Sequence, residues 1–250
     1  MLCEPVEVWF TATWDGSRQA WLERRPAGAA AGRRLDVLIA LHGHGSDRRQ
    51  YALDGRDECR AARDVAARRG MLFVAPDYRA PTSWMGPAAE ADLVQIIGDL
   101  REAHRLDRVF LVGGSMGGTS ALAFAAMHPD LVDGVSSQNG TGNLLEFGGF
   151  PEAIAASFGG GKAAVPSEYK RRSAEYWPER LTMPVAMTVG GQDRVVPPDS
   201  VRRLAAVLRA LGRPVLLIDR PDGAHSTDYA DTTAALEFVI DAARPPGSSS

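Results

Sequence analysis

The stretch VFLVGGSMGG, residues 109–118, decides how the rest of the chain is read. Its first half is an apolar run of strand length, and the helical pattern TSALAFAAMHPD follows at 119–130. Between them, Gly113-Gly114-Ser115-Met116-Gly117 fits G-x-S-x-G in the strand–turn–helix setting that makes the pattern informative. A turn this tight forces Ser115 into a strained backbone conformation. Side chains at 113 and 117 would collide with the neighbouring strand and helix. The Ser115 hydroxyl is then expected above the carboxyl end of a sheet, where open α/β sheets bind ligands. It also opens a helix, whose amides and positive dipole end favour a developing negative charge.

Working outward, apolar runs of strand length alternate with helical patterns. LDVLIALHG (35–43), MLFVAPDY (71–78), DRVFLVGG (107–114), VDGVSSQNG (132–140), PVAMTVGG (184–191) and PVLLIDR (214–220) read as strands. RDECRAARDVAARRG (56–70) reads as a helix stopped by Gly70. PAAEADLVQIIGDLREAHRL (87–106) is helical, with acids early and bases late as the helix dipole prefers. PPDSVRRLAAVLRALG (197–212) and DYADTTAALEFVIDAAR (228–244) complete the helices. Continuous apolar strands alternating with helices imply an α/β fold with a mostly parallel sheet covered on both faces. At the start, VEVWFTAT and RQAWLERR flank WDGS, whose Asp-Gly pair signals a hairpin that would add an antiparallel edge. An Ala/Gly linker, PAGAAAGRR, separates the hairpin from the rest. One domain is expected over residues 1–244, with an irregular cap insertion at about 140–180 and a disordered tail at 245–250.

The chain has 250 residues, 45% hydrophobic and 24% charged, the balance of a globular protein with a sizeable core. Its formal net charge of −3 gives no electrostatic basis for binding nucleic acid or an anionic membrane. The bases are almost all Arg, with Lys only at 162 and 170, and they are scattered rather than clustered. Two cysteines, Cys3 and Cys59, make neither a disulfide framework nor a metal-ligand spacing. The N-terminus lacks the basic and apolar regions of a signal peptide, so a cytoplasmic location is expected.

A serine hydroxyl needs a base, and the base needs an orienting acid. GGQDRVVPPDS puts Asp193 on the loop after the next-to-last strand, and RPDGAHSTDY puts His225 on the loop after the last. The order Ser115, Asp193, His225 suits this architecture, and all three can converge at one sheet edge. Asp222 lies too near His225 in sequence to support its ring. Asp199 and Asp228 are expected to cap helices, and His104 and His128 sit near helix ends as surface or dipole-complementing residues. The amide of Met116 is the expected first oxyanion donor. The second comes from LHGHGSD (41–47), with the His44 amide expected and that of Gly45 as the neighbouring alternative. His42 and His44 also have a spacing open to metal, but no carboxylate or cysteine cluster accompanies them, so no metal and no cofactor are expected.

LHGHGS, GGSMGG, GGQDRVVP and GAHS match, in order, the oxyanion, nucleophile, acid and base segments of α/β-hydrolase-fold serine hydrolases, which the chain resembles from about Leu35 to its last helix. The elbow and acid segments are similar to the esterase and prolyl-oligopeptidase-like branches, including acetylxylan- and feruloyl-esterase-like proteins. The chain departs from the peptidases in showing no N-terminal propeller domain, and from dienelactone hydrolases in having no cysteine nucleophile.

The 140–180 insertion carries Phe147, Phe150, Phe158, Tyr169, Tyr176 and Trp177, most of them expected to pack the cap onto the sheet. It is too short and polar to resemble a lipase lid. Gln138 and Asn139 beside the site, and Trp84 after another strand, are expected to contact substrate, a combination suited to a sugar ring. The expected activity is a serine carboxylesterase acting on a small-molecule ester with a small acyl group, carried by a carbohydrate or another polar alcohol. A prolyl-oligopeptidase-like peptidase, a thioesterase and a non-catalytic binding protein are the alternatives; the oligomeric state is left open.

Overall fold

The computed structural model describes residues 1–28 and 32–243. The expected tail, Arg244 at the expected end of the domain, and the middle of the Ala/Gly linker lie outside the described residues. Eight strands form one sheet in the order β1-β2-β4-β3-β5-β6-β7-β8. Strands β1 (Val6–Thr11) and β2 (Arg18–Arg24) are the antiparallel hairpin, and β2 pairs antiparallel with β4 (Leu72–Pro76). The remaining pairs are parallel and involve β3 (Leu35–Leu41), β5 (Leu106–Gly114), β6 (Gly134–Gln138), β7 (Val185–Gly190) and β8 (Val215–Arg220).

The central strands alternate between two cores. Val37, Ile39 and Leu41 of β3 face one apolar cluster, and Leu38 and Ala40 face the other. The second cluster is closed by α1 (Arg49–Leu53), α2 (Asp57–Arg69) and α8 (Tyr229–Ala242). The first is closed by α3 (Pro87–Ala103), α4 (Met116–Met127) and α7 (Asp199–Ala210). Helix α4 is buried from Met116 to Ala126 and is built largely of Gly, Ala, Ser and Thr. It is buried on every side, and its small residues let sheet and cap enclose it closely.

The structure refines three expectations. Short helix α1 carries no apolar period long enough to announce it. The 140–180 segment is not irregular throughout: α5 (Pro151–Phe158) and α6 (Pro166–Arg171) form in it, each begun by a proline whose fixed φ suits a first helical turn. Asp199 is the first residue of α7 rather than its cap and makes no capping bond, whereas Asp228 caps α8 by accepting from the Asp231 amide at 2.7 Å.

The cap is fixed to the body by a buried ion cluster. Arg172 is fully buried; its Nη2 donates to Glu90 on α3 at 2.7 Å and its Nε to the Met85 carbonyl at 2.5 Å. Arg171 and His128 also bond Glu90. Burial opposes ionisation of Glu90, but the bonds from His128 and Arg171 and the charges of Arg172 and Arg171 prevail and hold its pKa at about 2.

Candidate active site

Ser115 lies at the junction of β5 and α4 with φ 57° and ψ −118°, a conformation that costs a non-glycine residue energy. Its neighbours explain how the turn closes. A Cβ on Gly117 would stand 2.0 Å from the Leu41 carbonyl oxygen, and one on Gly113 would stand 2.4 Å from the Gly117 carbonyl carbon. Main chain therefore meets main chain here, and only glycine allows it. The Ser115 amide donates to the Gln138 carbonyl at 2.8 Å, tying the turn to β6.

Across the carboxyl edge, Asp193 follows β7 and His225 follows β8. His225 Nδ1 donates to Asp193 Oδ2 at 2.7 Å. Asp193 is buried, and its Oδ1 accepts from the amides of Val195 and Val196, each at 2.9 Å. That leaves Nε2 of His225 as the nitrogen able to take a proton. Ser115 and His225 line one cavity of about 490 Å³, within the range of small-molecule sites. The same cavity is walled by His44, Gln50, Asn139 and, from the cap, Phe150.

The three residues expected to contact substrate are placed differently. Trp84 is fully buried and does not reach the cavity wall; its Nε1 donates to His44 Nδ1 at 3.0 Å, and its ring packs on Phe147 and Phe150. Trp84 thus supports the wall from behind, on a backbone in the left-handed region at φ 43°. Gln138 touches the cavity but its amide is engaged on both sides, accepting from Tyr51 Oη at 3.0 Å and donating to Thr232 Oγ1 at 3.2 Å. Burial raises the Tyr51 pKa well above its ordinary value, keeping the phenol a neutral donor.

Asn139 sits at the end of β6 with φ 48°. Its Nδ2 donates to Asp193 Oδ2 at 3.5 Å and to the Ala224 carbonyl at 3.4 Å, and its Oδ1 accepts from Thr227 Oγ1 at 2.5 Å. Thr227 in turn pairs with Thr188 of β7 at 2.7 Å. Asn139 therefore joins the loop of Asp193 to the loop of His225 while it lines the cavity.

On the other side of Ser115, the Gly43 amide donates to Gln50 Oε1 at 2.8 Å, which fixes the loop after β3. Both ring nitrogens of His42 face backbone carbonyls, of Gly43 at 2.9 Å and Asp77 at 3.0 Å, and burial lowers its pKa. His104 and His128 lie at helix C-termini as expected, each beside a carboxylate, Glu23 and Glu90. Of the cap aromatics, Phe147, Phe158 and Tyr169 are buried in the core, and Tyr176 is exposed. Of the remaining wall residues, Gln50 on α1 and Arg56 and Glu58 at the start of α2 carry no motif that marks them as lining a site, whereas Phe150 belongs to the cap aromatics and Val195 to the segment of Asp193.

Comparison with known proteins places this geometry in a family. The profile of the prolyl oligopeptidase family matches residues 90–239, and an α/β-hydrolase-fold profile matches residues 41–138. No curated protein sequence matches the chain. Among solved structures, puromycin hydrolase aligns over 96% of this chain and 39% of its own, with 20% identity and a TM-score of 0.77. Acylaminoacyl peptidase from Pyrococcus horikoshii aligns over 96% and 41%, with 18% identity and a TM-score of 0.72. S-formylglutathione hydrolase from Staphylococcus aureus aligns over 98% and 100%, with 15% identity and a TM-score of 0.73. The chain thus spans less than half the length of puromycin hydrolase and of the acylaminoacyl peptidase. Among the described residues no helix is long and apolar enough to cross a membrane. With its eight-stranded, mostly parallel sheet and the match over residues 90–239, the chain has the α/β-hydrolase fold and belongs to the prolyl oligopeptidase family.

Proposed function

We propose that the protein hydrolyses small-acyl esters by acyl transfer, with Ser115 as nucleophile, His225 as general base and Asp193 as its orienting acid. One observation carries this reading. Ser115, held at φ 57°, shares a cavity with His225, whose far nitrogen is bonded to a buried Asp193 at 2.7 Å. In the reaction, His225 Nε2 takes the Ser115 proton as Oγ attacks the ester carbonyl. The imidazolium that forms is stabilised by Asp193. Collapse of the tetrahedral intermediate expels the alcohol, which takes the proton back from His225, and water then repeats the sequence on the acyl-enzyme. The amides of Met116 and His44 are the proposed oxyanion donors. Met116 heads α4, where amides have no partner within the helix, and each such donor is typically worth about 3–4 kcal/mol.

The small cavity and the Phe150 wall favour a short acyl group, and the polar wall of Ser46, Gln50 and Thr227 suits a hydroxylated alcohol such as a sugar. A cytoplasmic setting suits the free thiols of Cys3 and Cys59. The peptidase reading has its own support in family membership and in Glu58 on the cavity wall, a carboxylate able to meet an amine. Matched p-nitrophenyl esters from acetate to long chains, and aminoacyl p-nitroanilides, decide between them. Ser115-dependent hydrolysis peaking at acetate is expected; faster cleavage of the anilides would replace the ester reading with the peptidase one.

A further inference from the structure

We infer that Trp84 sets the tautomer of His44 and so makes the His44 side chain a hydrogen-bond donor to a substrate oxygen in the cavity. This rests on the acyl-transfer reading above and adds a side-chain donor to the proposed backbone ones. An indole nitrogen can only donate, so at 3.0 Å from Trp84 Nε1 the Nδ1 of His44 must accept. A neutral imidazole accepting at Nδ1 carries its proton on Nε2. Desolvation lowers the His44 pKa, which favours that neutral form. Among the described residues Nε2 has no protein partner, and the half-buried ring forms part of the cavity wall with Ser115 and His225.

The surroundings are built to hold this arrangement. Trp84 and Met85 are both non-glycine residues in the left-handed region, at φ 43° and 58°. Such strain persists only where neighbours fix it. Here the Met85 carbonyl accepts from buried Arg172, the Ser83 carbonyl accepts from Ser157 Oγ, and a Cβ on Gly86 would stand 2.2 Å from Ser157 Oγ. Phe150 packs against both rings, 4.3 Å from His44 and 5.4 Å from Trp84 between centroids. The loop after β4 and the cap together hold one indole N–H on one imidazole nitrogen. Trp84 acts as a positioning residue, and His44 is the group that meets substrate.

The test uses the full chain with ¹⁵N-labelled histidine. Two-bond ¹⁵N–¹H spectra of the wild type should show His44 as the Nε2–H tautomer alone, and Trp84→Phe should turn it into a mixture. With p-nitrophenyl acetate, His44→Leu should lower kcat/KM by about 10²-fold. His44→Gln, whose amide N–H can replace Nε2–H, should recover most of that loss, which a purely structural role would not predict. His44 is half-buried, so its variants carry the test even where Trp84→Phe does not fold. A wild-type His44 protonated at Nδ1, or a His44→Leu variant with wild-type kcat/KM, overturns the inference. Fluorophosphonate labelling of Ser115 and the activity of Ser115→Ala keep the two readings apart. Full activity in Ser115→Ala removes the acyl-transfer reading itself. A labelled Ser115 and an inactive Ser115→Ala beside an unaffected His44→Leu remove only the His44 side-chain donor.

Discussion

The two sides of Ser115 are built on different principles. Toward β7 and β8, side chains hold side chains: His225 to Asp193, Asp193 to Asn139, Asn139 to Thr227, and Thr227 to Thr188. Toward β3 and β4, main chain is held by close packing and strain. Gly117 lies against the Leu41 carbonyl, and the 78–85 loop carries Tyr78, Arg79, Trp84 and Met85 at positive φ. In the proposed acyl transfer the first side changes protonation, which calls for titratable groups in a hydrogen-bonded chain. In the same proposal the second side presents fixed dipoles to a developing charge, and rigid backbone does that with no reorganisation. Damage should therefore fall on proton transfer on one side and on geometry and stability on the other.

The largest effect tests the junction itself. Ser115→Ala should lower kcat for p-nitrophenyl acetate by up to about 10⁶-fold while leaving the thermal midpoint unchanged or raised, since a strained serine is not a stabilising one. On the side-chain side, Asp193→Asn should cost about 10⁴-fold in kcat, because the amide would favour the wrong imidazole tautomer. A loss under tenfold would mean that another carboxylate orients His225. Next comes Asn139→Ala, which removes the link between the two loops. We expect a loss of about 2 kcal/mol in transition-state stabilisation, roughly thirtyfold in kcat/KM. An unchanged rate would show that the Thr188–Thr227 pair suffices to hold the base.

The packed side is probed through stability. Glu90 has its pKa held at about 2 against an ordinary 4.5, so its ion cluster contributes fully above pH 4.5 and is lost as pH falls through 2, where the folded chain also takes up the proton. Glu90→Gln should therefore cost about 3 kcal/mol at neutral pH. That gap should narrow steadily below pH 4.5 in denaturant titrations of both proteins. A gap that stays constant with pH would assign the cost to packing rather than charge.

The same contrast explains what could be read from the chain before any coordinates. Strands such as LDVLIAL declare themselves because a doubly covered strand must be apolar throughout. The pairing of Asp193 with His225 is legible because proton chemistry admits few residue types and each follows a strand. The strained loop at 78–85 is not, since left-handed tyrosine, arginine and tryptophan have no sequence signature; tertiary contacts impose it. The burial of Trp84 behind the wall and the hydrogen bonds of the Gln138 and Asn139 amides belong to the same class. Helix α1 and the cap helices were too short for periodicity to speak.

The contact of Gly117 with the Leu41 carbonyl has a consequence for engineering. With no side chain between the end of β3 and the start of α4, the spacing between Ser115 and the loop bearing His44 is set by two polypeptide backbones alone. Side-chain diversification cannot widen or narrow that gap; it can only break it. A library aimed at new substrates should therefore leave 41–45 and 113–118 untouched and vary Val195, Arg56 and Glu58, which line the cavity from other elements.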